Sequence, residues 1–438
     1  MAHALDALYQ LFQKHPVICT DTRKLEPGCL FFALKGEAFN GNQFAAKALE
    51  MGAAYAVIDE AAYQTDHRCL LVPDVLKTLQ NLATYHRRKF DIPLIAIGGS
   101  NGKTTTKELV SAVLSAHYPC HYTKGNLNNH IGVPLTLLAM PADTEVAVIE
   151  IGANHPGEID ELCYIARPTH GLLTNIGKEH LEGFGSLEGV KKAEGELYRY
   201  LNRHKGFIFV NRSEKYLNSM TRRSRRKVIY GQSDVLEPND TVIDVAMRAE
   251  MPFVEAAFIA DNGQEVHIKS HLYGRHNFSN IMTAIALGIY FKVPAARIKS
   301  AIENYQPRNN RSELILRENN CSILLDAYNA NPSSMRPALQ SLAAMPGAKK
   351  IAILGDMLEL GESSRKEHQQ LLSFASKLGL DQLVLVGPEF GQTNFSRYKA
   401  LHFENVAAAR SWFDQQDLSQ TSLLLKGSRG IGLERLIQ

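Results

Sequence analysis

Short apolar runs, most of them ended by glycine, asparagine or an acidic residue, recur through the 438-residue chain. Runs of that length bounded by turn residues read as buried strands, and several segments between them carry apolar residues at helical spacing. The run at 93–97 (PLIAI) predicts a strand, and 107–114 (KELVSAVL) predicts the helix after it. Strands are likewise expected at 145–151 and 171–175, with a helix over 187–201. Upstream, 20–34 reads as a turn and a strand, 36–44 as a loop opening a helix at 45–51, and 54–58 as another strand. Between about 228 and 272 the texture changes to short alternating runs, such as 241–246 and 265–269. With the turn signal Asp261-Asn-Gly263 among them, these predict β hairpins. An apolar helix opens at 274–280 and runs to about 290. Four more strands, at 322–325, 350–354, 383–386 and 422–425, each end in a polar or glycine turn. That rhythm predicts a parallel, doubly wound sheet with a ligand crevice along those ends.

The expected fold class is therefore α/β in three domains. An N-terminal α/β unit occupies 1–88, a central P-loop ATPase-type unit with extra strands 89–306, and a C-terminal Rossmann-like unit 307–438. The basic segment His86-Arg-Arg-Lys89 marks the first boundary, and 307–312 (PRNNRS) reads as the linker at the second. The length agrees with about three domains.

The organising stretch follows the strand at 93–97. Gly99, Ser100, Asn101, Gly102, Lys103, Thr104 and Thr105 form a glycine-rich turn opening a helix. Backbone N–H groups in such a turn approach phosphate, and the helix N-terminus adds positive potential. Lys103 reaches the outer phosphates, and Thr104 or Thr105 offers a hydroxyl to Mg²⁺. The loop is shorter than the general pattern, with Ile97 where a glycine is usual. Glu150 lies near the C-terminal end of one later strand and His180 follows another, so they share the expected rim with Lys103. A carboxylate there suits a metal bound to nucleotide phosphates. Asn128 and Asn129 lie in an amide-rich loop that contacts a polar substrate or merely stabilises turns. His276, Asn277 and Asn280 frame a base or cap their helix. Asp326 suits sugar hydroxyls, and Lys426 and Arg429 suit an anion.

Composition narrows the class further. With 45% hydrophobic and 21% charged residues the chain is globular, and a net charge of +3 is too small to imply nucleic acid. The densest basic run, Arg222-Arg-Ser-Arg-Arg-Lys227, has no interleaved aromatics and reads as a solvated face. Six scattered cysteines suggest neither a zinc site nor a disulfide framework. The first residues lack the features of a signal peptide, and no run reaches bilayer-spanning length. A cytoplasmic protein without membrane insertion, and a monomer, is expected.

Together these residues resemble the Mur ligase family, the ATP-dependent amide ligases of peptidoglycan precursor synthesis. The resemblance spans the whole chain and rests on 150–158 (EIGANHPGE), 180–186 (HLEGFGS), 326–332 (DAYNANP), 354–361 (LGDMLELG) and 426–429 (KGSR). Within the family it points to the member that joins D-alanyl-D-alanine to UDP-N-acetylmuramoyl-tripeptide. Other members, and the related folylpolyglutamate synthases, usually carry a histidine near 326–332. Another such ligase is the alternative, and a non-catalytic nucleotide switch is a second.

The resemblance implies that the first domain holds the uridine end of the substrate through Thr22, Arg23 and Asn40, although the family often has different residues there. It implies that the central domain binds ATP, with His276, Asn277 and Asn280 on the adenine side. Arg311 and Asp326 match its domain-junction and ribose or phosphate contacts. Asn128, Asn129, Asn329, Asn331, Lys426 and Arg429 are expected to face the other substrates. The implied chemistry is attack of the tripeptide carboxylate on the γ-phosphate, then displacement of phosphate from the acyl phosphate by the dipeptide amine. Mg²⁺ is expected at Thr104 or Thr105, Glu150 and His180. Many members carry a carbamylated lysine where this chain has Glu194, so Glu194 is expected to serve a second Mg²⁺ directly. Leu325 is a lesser departure, at a place where relatives often have an acid.

Overall fold

The computed structural model describes residues 2–232, 242–307 and 310–438. Three parallel-stranded sheets follow one another along the chain. The first has the strands Ile18–Cys19, Leu30–Phe32, Tyr55–Ile58 and Cys69–Leu71, all paired in parallel. Leu30, Phe32 and Val57 pack with Leu8 and Phe12 of the helix Ala2–Lys14 and Leu79 and Leu82 of the helix Val75–Arg87. Asp74 caps the latter helix by accepting the Lys77 N–H. The segment 36–44 is more structured than a loop, with the paired strands Lys35–Gly36 and Phe39–Asn40 and a 3₁₀ turn at Gly41–Phe44.

The central sheet has nine strands. In spatial order they are Glu265–Lys269, Glu255–Ile259, Val242–Ala249, Lys227–Gly231, Phe207–Asn211, His170–Leu173, Leu94–Gly98, Val146–Glu150 and Cys120–Tyr122. The first two pairings are antiparallel, giving the expected hairpins, and the remainder are parallel. Thr241, the first residue of one expected alternating run, lies outside the described residues. Side chains alternate across the sheet. Ile95, Ile97 and Val148 meet Val113 and Ile285 of the helices Lys103–Ser115 and His276–Tyr290. Leu94, Ala96 and Ile149 face the opposite way, with Leu162 and Leu197 of the helices Glu158–Ala166 and Leu187–Arg203. Both faces are covered, which is why these strands are continuously apolar.

The C-terminal sheet runs Glu313–Arg317, Cys321–Asp326, Thr421–Lys426, Lys349–Gly355, Gln382–Val386 and Leu401–Phe403. Its four inner strands are those expected. Glu313–Arg317 joins antiparallel and Leu401–Phe403 parallel, at the two edges. Neither edge strand was foreseen, because each is half-exposed and its apolar run is no longer than three residues. The expected linker includes residues 308 and 309, which lie outside the described residues. No helix among the described residues is long and apolar enough to cross a membrane.

Candidate active site

The phosphate loop leaves the strand Leu94–Gly98 and turns into the helix at Lys103, four residues before the spacing alone placed it. Two glycines make the turn possible. Gly99 has φ +106°, and a Cβ there meets the backbone N of Thr174 at 2.6 Å. Gly102 has φ +79°, and a Cβ there meets Asn280 Oδ1 at 2.7 Å. A left-handed backbone with no room for a side chain admits only glycine without strain. Asn175 Oδ1 accepts the Asn101 N–H at 3.1 Å, and Ser100 Oγ accepts the Gly177 N–H at 2.8 Å. The loop is thereby bound to the segment after the next strand.

Lys103 is surrounded by acids. Its Nζ donates to Gly99 O at 2.5 Å and to Glu179 Oε2 at 3.3 Å. Burial disfavours the ammonium, but Glu179, Glu194 and Glu150 outweigh it and hold the pKa above its ordinary value. Glu150 ends its strand and is 1% exposed. Its Oε1 accepts from Asn128 Nδ2 at 2.8 Å and from Thr104 Oγ1 at 3.1 Å, whereas its Oε2 has no partner. Glu179 Oε1 is likewise buried without a partner. Two orphaned carboxylate oxygens beside a phosphate loop are costly unless a cation or donor completes them.

His180 adopts φ 42° at the start of a short helix. Its Nδ1 lies 2.7 Å from Glu359 Oε2, which reaches over from the C-terminal unit. That hydrogen bond with His180 is the main cause of the lowered Glu359 pKa. With the proton on Nδ1, Nε2 keeps its lone pair for a ligand. No cluster of three or more His, Cys, Asp or Glu side chains with metal-site geometry occurs among the described residues. Mg²⁺ does not need one, because it keeps waters and substrate phosphates in its shell and takes one or two carboxylates. The unpaired oxygens of Glu150 and Glu179 with the Thr104 hydroxyl fit that requirement.

These groups face a cavity of about 640 Å³ between the central and C-terminal units. The structure brings Ser100, Asn101, Gly102, Lys103, Thr104, Thr105, Asn128, Asn129, Glu150 and His180 to its lining. His276, Asn277, Asn280, Arg311, Asp326, Asn329, Asn331 and Lys426 line it too. Lys426 Nζ donates to Asp326 Oδ2 at 2.6 Å, and burial of Asp326 is outweighed by this pairing, so its pKa falls. Asn331 Nδ2 donates to Asn101 Oδ1 at 2.8 Å and joins the two units at the loop itself. Asn277 and Asn280 form a buried chain to Thr106 Oγ1, and Asn129 caps a helix by accepting the Ile131 and Gly132 N–H groups. Thr104, Thr105 and Arg311 also border a second cleft of about 650 Å³ beside the loop helix.

Six expected residues, Gly99 of the loop among them, do not reach this lining. Thr22, Arg23 and Asn40 lie in the first unit, where Arg23 is bonded to Asp21 and Asn40 to Glu60. Arg429 lies 5.3 Å from the Tyr328 ring centroid, with Arg311 on the same ring at 3.7 Å. Glu194 stands behind the loop, 1% exposed, and accepts the Gly99 N–H at 2.7 Å. Burial pushes its pKa up to about 7, against the pull of Lys103. Sequence reasoning missed Glu179 and Glu359. The first sits beside His180 after the same strand, so the strand-end argument applies to it equally. The second lies in the 354–361 stretch that carries the family resemblance, but nothing in that stretch indicates that its glutamate reaches His180.

A phosphate loop with its lysine, set among strand-end acids and faced by a second α/β unit, defines a P-loop nucleotide-binding protein of multidomain ligase type. The Mur ligase middle domain family matches residues 97–288, the Mur ligase glutamate ligase domain 310–429, and the Mur ligase catalytic domain 16–88. The chain belongs to the Mur ligase family. It is 34% identical over 430 residues to the UDP-N-acetylmuramoyl-tripeptide–D-alanyl-D-alanine ligase of Bacillus subtilis, covering 96% of this chain and 92% of that one. It is 35% identical over 423 residues to the Escherichia coli ligase of the same name, with the same coverage. A crystal structure of MurF from Acinetobacter baumannii superposes with a TM-score of 0.85 at 31% identity, covering 98% of this chain and 96% of that one. MurF ligase from Thermotoga maritima, solved with ADP, gives 0.83 at 25%, covering 98% and 97%.

Proposed function

We propose that this protein joins D-alanyl-D-alanine to UDP-N-acetylmuramoyl-tripeptide with cleavage of ATP to ADP and phosphate, forming the pentapeptide precursor of peptidoglycan. The observation that carries this reading is Lys103 on its loop, set against the orphaned oxygens of Glu150 and Glu179 in a cleft closed by the C-terminal unit. A carboxylate does not condense with an amine directly, because hydroxide is a poor leaving group. The tripeptide carboxylate attacks the γ-phosphorus of ATP, the bond to the bridging oxygen breaks, and ADP leaves. The amine of the dipeptide then attacks the acyl phosphate, loses a proton, and expels inorganic phosphate. Negative charge builds on the transferred group, and the Lys103 ammonium, kept charged by its acids, stabilises it.

Glu150, Glu179, His180 and a threonine hydroxyl of the loop would hold Mg²⁺, which neutralises phosphate charge when bound. Asn128 orients Glu150, and Glu359 orients His180. Asp326 and Arg311 serve the nucleotide, while Asn329, Asn331 and Lys426 frame the space for the dipeptide. Thr22, Arg23 and Asn40 belong to the uridine end of the substrate. The proposed role of Glu194 at a second Mg²⁺ is tested by Glu194→Ala with a Mg²⁺ titration; unchanged activity and metal dependence would refute it. The protein is proposed to act as a cytoplasmic monomer.

A phosphate-release assay with mass analysis of the product tests the function. Turnover strictly dependent on both D-alanyl-D-alanine and the UDP-linked tripeptide supports it. Equal turnover with a single amino acid, or with folate substrates, would assign the chain to another ligase of the fold.

A further inference from the structure

The opposite edge of the central sheet carries a second, unlike cavity. It has a volume of about 520 Å³ and lies where the strands Leu94–Gly98, His170–Leu173 and Phe207–Asn211 begin. The phosphate loop and Glu150 lie where strands of the same sheet end, about 15 Å away for a five-residue strand. Five permanent cations line the cavity (Arg87, Arg88, Arg167, Lys205 and Arg226), and no Asp or Glu does.

Arg87 is 5% exposed and has no carboxylate partner among the described residues. Its guanidinium donates to backbone oxygens, those of Ala166, Phe90, Ile92 and, at the limit of 3.5 Å, Arg167. Burial, reinforced by the like charge of Arg167, lowers its pKa to about 10, against the opposing pull of Tyr200 and then of Asp91, which lies outside the lining. Arg226 arrives from the basic run at 222–227, lies 5.3 Å from the Phe207 ring centroid and donates to Lys205 O. The run thus delivers one guanidinium to the cavity mouth. Phe207 also stacks on His170 with ring planes 12° apart, so one wall is flat and aromatic. Like charges collected around a concave space repel one another, and a bound anion reverses the sign of that interaction.

We propose that this cavity is a binding site for a soluble phosphorylated molecule bearing at least two negative charges. Guanidinium groups match phosphate oxygens in forked pairs. The concave shape and the ring wall suit a small molecule better than a flat bilayer surface.

Calorimetry of the full chain saturated with ADP, which fills the phosphate loop, with inorganic pyrophosphate as the probe tests this. The comparison is a double variant, Arg167→Asn with Arg226→Gln. Both side chains are exposed and outside the catalytic machinery, and asparagine tolerates the left-handed backbone of Arg167 at φ 50°. The expected result is one pyrophosphate per chain, weakened at least tenfold in the double variant, with ligase turnover unchanged. Absence of a second site, or equal affinity in the variant, would overturn the proposal. Retention on phosphatidylglycerol vesicles that pyrophosphate fails to displace would also overturn it, in favour of a membrane surface.

Discussion

The two edges of the central sheet are built from the same strands and treat charge in opposite ways. At the C-terminal ends, one lysine is surrounded by Glu150, Glu179 and Glu194, and two carboxylate oxygens are left unpaired. At the N-terminal ends, five cations gather with no acid among them, and Arg87 is satisfied by backbone oxygens. The first arrangement attracts cations and lets one ammonium act on phosphate. The second favours anions without any group able to activate them. Strand direction accounts for part of this contrast, because loops leaving parallel strands and the helix N-termini they feed converge at one edge only. The rest is residue choice. In this sheet the end proposed to be chemically active is the one where acids, a lysine and a glycine turn coincide.

The strongest way to break the comparison is to discharge the active edge. Lys103→Ala removes the loop ammonium proposed to act on the transferred group and is expected to lower turnover by about 10²–10³-fold or more, read by phosphate release. Turnover within threefold of the parent would mean that the acids were not arranged around this lysine for catalysis. Glu150→Gln retains shape and removes one charge. It is expected to raise the Mg²⁺ concentration for half-maximal rate by about 10–100-fold, with nucleotide affinity in the absence of metal little changed.

Finer changes sharpen the contrast. Glu359→Gln leaves His180 in place but weakens the carboxylate that orients it, and about a tenfold loss in Mg²⁺ affinity is expected. A loss confined to kcat, with unaltered metal dependence, would assign Glu359 to joining the domains instead. The smallest effect concerns pH at the basic edge. Burial holds the His170 pKa down at about 4, below its ordinary 6.5. The folded chain therefore binds fewer protons than the unfolded chain between these values, and stability is full above about pH 6.5 and lost as pH falls towards 4. The span is of order 1–3 kcal/mol. His170→Phe preserves the ring stack and removes the titration, so between about pH 6.5 and 4 the thermal midpoint should fall less steeply with acid in the variant than in the parent. Identical pH slopes would refute the assignment.

The sequence made the strands with continuous apolar runs easy to read, since burial on both faces leaves no other composition. It also made Lys103, Glu150 and His180 legible, because each ends or follows a strand and the strand-end rule places them on one rim. Glu359 was not legible, since its approach to His180 depends on how two domains pack. Glu179 was legible in principle but was passed over for its histidine neighbour. The short edge strands Glu313–Arg317 and Leu401–Phe403 were missed because an exposed edge tolerates mixed composition. The basic cavity was hidden for another reason. Arg87, Arg167 and Arg226 are far apart in the chain, and the run at 222–227 looks like an ordinary wetted surface until its partners are placed beside it.

The bond from Gly99 N–H to Glu194 has a consequence for how the loop reports its occupant. That amide already serves a buried protein acceptor, so deuterium should replace its proton slowly whether or not nucleotide is present. The amides at the start of the loop helix have no such acceptor from Glu194, and their exchange should slow when phosphate arrives. One loop therefore holds an internal clock and a sensor within a few residues of each other.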